Sequence, residues 1–126
     1  MPTYVLSAII APQYIGGSAA ALTFAPVGGV AVPAGVSYQI AVCRVVNVTN
    51  APVTLKLWRV PSGSTDDTTH IVVPVTVLVP VATQTFPHFD VTVLWGAVLA
   101  PGDAIWGLAG SASALTINAD GVVITN

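Results

Sequence analysis

The chain has 126 residues, of which 54% are hydrophobic and only 6% charged, with a formal net charge of −2. The length suits one domain, three Lys and Arg are too few to follow a phosphate backbone, and a single cysteine, Cys43, excludes an intramolecular disulfide. Mean hydropathy is +0.83, yet Pro12, Gly16-Gly17, Pro26, Gly28-Gly29 and Pro33 interrupt every window that could form a spanning helix of about 20 residues, and "MPTYVLSAII" lacks the basic start of a secretory leader.

Val, Ile, Thr and aromatic residues dominate, helix formers are scarce, and no window carries a 3.6-residue apolar stripe. Short apolar runs lie between Gly, Pro, Asn and Ser clusters, the pattern of an all-β sandwich or barrel. A first strand is predicted over residues 4–10 and a second over 20–24. The turn "APVGG" and a short piece, 29–32, then lead into the turn "PAG". A long strand follows over 37–48. Its even positions (Tyr38, Ile40, Val42, Val46, Val48) read as the core face, with Arg44 as the exception, which marks either a β-bulge or a pairing with a carboxylate.

"NVTNAP", residues 47–52, reads as a connection. In the next strand, 53–60, Val53, Leu55 and Leu57 point inward, and Trp58 shares the outer face with Lys56. A strand over 70–79 follows the polar stretch "PSGSTDDTTH". In "HFDVTVLW" the period-two run of Phe89, Val91, Val93 and Trp95 places Trp95 in the core. After "AIWGLAG" come "ALTIN" and "GVVIT", read as a hairpin with Asp120-Gly121 at its turn. The sum is an antiparallel β-sandwich of about eight strands, with jelly-roll connectivity among the ways to join them. It forms a single domain, in which residues 1–28 make an N-terminal strand segment and 29–126 the sandwich.

The scarcity of charge has its own consequence. Surfaces ordinarily stay apart through mixed charge, and exposed β edges carry Lys or Pro. A chain with one lysine and no glutamate is expected to have much of its surface covered by neighbouring subunits, as a homo-oligomer or in a larger assembly.

The polar stretch holds the residue types of a metal site, Asp66, Asp67 and His70. Its spacing is not that of an EF-hand, and adjacent aspartates in an extended segment point apart, so a solvated loop with turn chemistry explains it better. His88 near Asp90 has two parts of a triad but no nucleophile: Cys43 sits mid-strand as a buried thiol, and no G-x-S-x-G elbow occurs. No catalytic residues and no cofactor are therefore expected. Asp103 in "APGDA" reads as an acceptor for turn N–H groups. "NVT" at Asn47 matches a glycosylation acceptor but is read as incidental. Trp58 and Trp106, with Tyr4 and Tyr14 in the N-terminal segment, are the candidates for contact with a partner. Trp58 or Trp106 with Asp66, Asp67 and His70 as polar partners would instead suit a carbohydrate-binding or receptor-binding module.

Three segments taken together, "VPAGVSYQIAVCRVVNVTNAPVTLKLWRVPSG", "VLAPGDAI" and "LTINADGVVIT", resemble in order and spacing a widespread group of small bacteriophage virion proteins. The resemblance covers roughly residues 29 to 125, judged by motif order. It implies a β-sandwich structural subunit of a phage particle, either a capsid decoration or cement protein or part of a fibre or tail. Its partners would be the major capsid protein or fibre and tail subunits, and its location the virion, with no nucleic acid or membrane bound. The first 28 residues lie outside the match; they would either reach a neighbouring subunit or form the first hairpin of the sandwich.

Overall fold

A computed structural model of the chain describes residues 2–66, 68–78 and 89–125. Among the described residues nine strands make two antiparallel sheets. They are β1 (Thr3–Ile15), β2 (Ala20–Ala21), β3 (Val36–Asn47), β4 (Val53–Val60), β5 (Ile71–Leu78), β6 (Phe89–Asp90), β7 (Val98–Leu99), β8 (Ala104–Ala109) and β9 (Leu115–Thr125). One sheet runs β1-β9-β3-β6, with β7 also on β3, and the other runs β2-β8-β4-β5.

β6 and β7 pair with two levels of the same β3 edge, at Arg44–Val45 and at Tyr38–Gln39. A 3-10 turn, Thr92–Leu94, separates them. Counted as one interrupted strand, they leave four positions per sheet. Successive strands then alternate between sheets everywhere except β4–β5. That wiring is a jelly roll, two Greek keys folded face to face.

The apolar faces of both sheets form one core. Ile9, Ile10, Ile15, Tyr38, Ile40, Cys43, Val45 and Ile117 come from the first sheet, Leu55, Leu57, Val73, Ile105 and Ala109 from the second, and Leu22 from just after β2. Phe24 packs edge-on against Tyr38 with ring centroids 5.2 Å apart, a preferred aromatic geometry. Gly107 lies where a Cβ would come within 2.9 Å of Ile15 Cγ2, so the layers meet there too closely for a side chain.

Three expectations are corrected by the sheet register. Asp120 and Gly121 are not a hairpin turn; β9 runs straight through them between β1 and β3. Both neighbours carry an extra residue at this level. β1 has one between Ala8 and Ile10, and β3 has one between Ile40 and Val42. Gly121 is required because a Cβ there would collide with Gln39 O across the β3 bulge. Asn-Ala-Asp-Gly, a turn signal in isolation, therefore marks where three strands bend together.

The β3 bulge also reverses its faces. Tyr38 and Ile40 point inward, but beyond Ala41 the inward set is Cys43, Val45 and Asn47, while Val48 is exposed. A single alternation over residues 37–48 fails because one extra residue exchanges the two faces. Third, Trp95 is not in the core. The predicted strand there becomes β6 followed by the 3-10 turn, which sends Leu94 inward and leaves Trp95 41% exposed. The short piece predicted over 29–32 is not a strand, and only Ala20–Ala21 of the segment 20–24 is one, with Phe24 forming an isolated bridge to Ile10.

Candidate interaction surface

The polar stretch is a loop between β4 and β5. Its base is held by Asp103, a buried carboxylate. Asp103 Oδ1 accepts from Ser62 N at 3.1 Å and Oδ2 from Ala100 N at 2.9 Å. Asp103 thus joins the "PSG" and "PGD" turns as a structural acceptor. Nδ1 of His70 bonds the carbonyl of Thr65 at 2.9 Å, closing the loop on itself just before the 3-10 turn Thr68–His70, which packs against β4. Asp66 is half-buried in the same loop, and Asp67 lies outside the described residues, as does His88. Among the described residues no three His, Cys, Asp or Glu side chains come together as metal ligands would.

Asn47 is more constrained than its place in a glycosylation pattern suggests. Its buried amide donates to Ala51 O and Leu78 O at 2.9 and 2.8 Å, and its Oδ1 accepts from Thr49 N and Thr49 Oγ1. All four bonds of the side chain are made, tying the end of β3 in one sheet to the end of β5 in the other. Cys43 is fully buried, and burial pushes its thiol up to about 12 against a smaller downward pull from Arg44. A thiol so held is not a nucleophile at neutral pH.

The tryptophans divide differently from their predicted roles. Trp58 does lie on the outer face with Lys56, whose Nζ sits 4.9 Å above its ring. It is nevertheless only 4% exposed, flanked across the strands by Trp106 on β8 and Ile71 on β5. As a free contact residue Trp58 is corrected: neighbouring strands already cover it. Trp106 is half-buried beside it. Trp95 is the exposed one, its indole N–H directed at the carbonyl of Cys43.

On the outer face of the first sheet, Arg44 lies between two carboxylates. Asp90 is its cross-strand partner on β6, Asn118 Oδ1 accepts from its Nη1 at 3.2 Å, and Asp120 Oδ2 is 3.8 Å away. Both alternatives for Arg44 are thus realised: it follows the β3 bulge and it pairs with a carboxylate. Arg44 and Asp120 are partly exposed, so the pair contributes at most about 1 kcal/mol. Beside it is an open groove of about 420 Å³ lined by Pro12, Gln13, Tyr14, Thr116, Ile117 and Asn118. Tyr14 forms its exposed aromatic wall. The Gln13 amide is committed to the fold, bonding Ala11 O, Thr23 O and Thr23 N.

The largest departure from ordinary surface chemistry is the first half of β1. Tyr4, Val5 and Leu6 are 66%, 53% and 86% exposed, so both faces of the strand meet solvent. Its inner edge pairs with β9 from Thr3 to Ile15. Among the described residues its outer edge is bonded only from Ile9 onward, where Ile9 O accepts from Ala25 N and Ala11 N donates to Thr23 O. Tyr4 was legible from sequence as a contact candidate. Val5 and Leu6 were not, because alternation assigns one face of any strand to the core; the signal that could have marked them is the absence of a charged residue before Arg44.

Fold and surface together define a jelly-roll β-sandwich with an apolar edge that no described residue covers. Compared with protein-family models, curated proteins and solved structures, the chain matches none.

Proposed function

We propose that this chain is a structural subunit of a larger protein assembly, of the kind its motif order resembles: a capsid decoration or cement protein of a bacteriophage particle. The observation that carries the reading is the exposed apolar strand at residues 3–8 in a chain almost without charge. Large exposed apolar surface usually marks a contact site, and burying it contributes about 25 cal/mol per Å². Many copies on a lattice multiply a weak contact into a firm one. The jelly roll supports this role by analogy alone, as an architecture shared by viral capsid and lectin domains.

Light scattering of the protein across a concentration series, alone and with candidate virion proteins, tests the reading. Association in at least one of these is expected, and a monomer that stays dispersed at high concentration and takes up no partner would overturn it. Imaging of a particle that contains the chain would then separate head lattice from tail or fibre.

One observation favours a second reading, a carbohydrate-binding module of a tail or fibre. The groove beside Tyr14 combines an exposed ring with Thr116, Asn118 and the nearby Arg44 guanidinium, the mixture of stacking surface and hydrogen-bonding groups that a sugar face requires. Trp58 no longer serves it, being buried. A glycan screen with Tyr14→Ala as control tests this: a specific signal lost in the variant supports a sugar site, and no signal counts against it.

A further inference from the structure

We infer that the outer edge of β1 over residues 3–8 is a self-pairing edge, on which a second copy of this chain adds its own β1 antiparallel about a two-fold axis at Val5. The inference rests on the assembly reading above and names its contact.

The four sheet edges are not equivalent. An edge strand exposes unpaired N–H and C=O groups, and proteins blunt it by shortness, bulges, proline, charge or interruption. β2 is two residues long. β5 carries Pro74 within a register shift against β4, and Thr76 Oγ1 turns back to bond Pro74 O. The β6–β7 edge is broken by the 3-10 turn. Among the described residues the first half of β1 carries only Pro2 at its start and, near its end, a Ser7 Oγ bond to Ala8 O at 2.9 Å; it has no bulge, interruption or charge, and no charged residue precedes Arg44.

The occupant and the register follow from the limits of that edge. No described residue outside β1 bonds it from Pro2 to Ala8, and it is closed from Ile9, where residues 23–25 bond it. Its midpoint is Val5. An antiparallel pair centred there sets Val5 against Val5, Tyr4 against Leu6 and Thr3 against Ser7. These are aromatic–aliphatic and hydroxyl–hydroxyl cross-strand pairs, of the type that stabilises sheets. The edge is thus complementary to itself, as an isologous contact requires, and with no charge on it two copies do not repel. A seven-residue edge pair falls below the ~1,200 Å² of a standard interface, so the dimer is expected to exchange in solution and to be held firmly only in a lattice.

The test uses the full chain with opposite charges at the axis. In sedimentation equilibrium the wild type is expected to dimerise with concentration. Val5→Lys and Val5→Asp, each setting like charges face to face, are expected to be monomeric alone and to dimerise when mixed. Leu6→Lys, at a position 86% exposed, serves as a second variant that leaves folding intact and should weaken the dimer at least tenfold. Circular dichroism confirms that each variant is folded. Val5→Cys should form a disulfide-linked dimer on oxidation, because Cys43 is buried and does not compete. If the wild type associates but the charged variants associate equally, another surface carries assembly; the edge inference fails and the assembly reading stands. Association that appears only with a different virion protein also overturns self-pairing. A wild type monomeric at every concentration and without any partner overturns both.

Discussion

The two halves of β1 share a strand, a partner and a composition, yet their environments are opposite. From Ile9 to Ile15 the strand lies over the second sheet, its outer edge is bonded by residues 23–25, and its isoleucines are buried. From Thr3 to Ala8 its one partner among the described residues is β9, and Tyr4, Val5 and Leu6 leave both faces exposed. The boundary falls at one level of the sheet, where Ser7 faces Gly121 and Ala8 faces Asp120. Apolar sequence therefore does not decide burial; what decides it is whether another layer lies above and another strand lies alongside.

The contrast can be broken most severely at its boundary. Gly121→Val would drive a side chain into Gln39 O, and a stability loss of more than about 4 kcal/mol, or failure to fold, is expected in urea unfolding. Within the covered half, Ile10→Ala should cost about 2–5 kcal/mol, because it leaves a cavity between the sheets. Asn47→Ala, which strips the bonds to Ala51 O and Leu78 O, is expected to cost about 1–3 kcal/mol.

Cys43 and Tyr38 sharpen the comparison by pH. Both are buried and have raised pKa values, Cys43 from 9.0 to about 12 and Tyr38 above 10.0, each through loss of hydration. A raised acid pKa means that the unfolded chain releases its proton first. Their contribution is complete below pH 9 and is lost as pH climbs toward 12, so the unfolding midpoint should fall over that window. A thiol reagent at pH 8 should label Cys43 only after unfolding. In the uncovered half, Leu6→Ala should move stability by no more than about 0.5 kcal/mol while reducing self-association, so that stability and assembly separate in one variant.

Much of the fold was legible as pattern. The strand at 53–60 falls where alternation put it, β8 follows "AIWGLAG", and the turn role of Asp103 follows from its place after Pro-Gly. The errors share one cause. Residue-by-residue alternation assumes a strand without insertions, and this chain inserts single residues at Ile9 and Ala41 and breaks a strand after Asp90. Trp95 was assigned to the core by carrying a period of two through a 3-10 turn, and Asp120-Gly121 was taken as a turn because Asp-Gly is one in most contexts.

Composition by itself determined that the chain is all-β and that so little charge cannot cover a large apolar surface. These follow from local propensity and from totals, which need no partner strand. Tertiary structure alone decided which valines and tryptophans meet solvent, why Gly121 admits no side chain, and which sheet edge the described residues leave bare. Each depends on the distance between strands remote in sequence, and one inserted residue on a neighbouring strand is enough to exchange the faces.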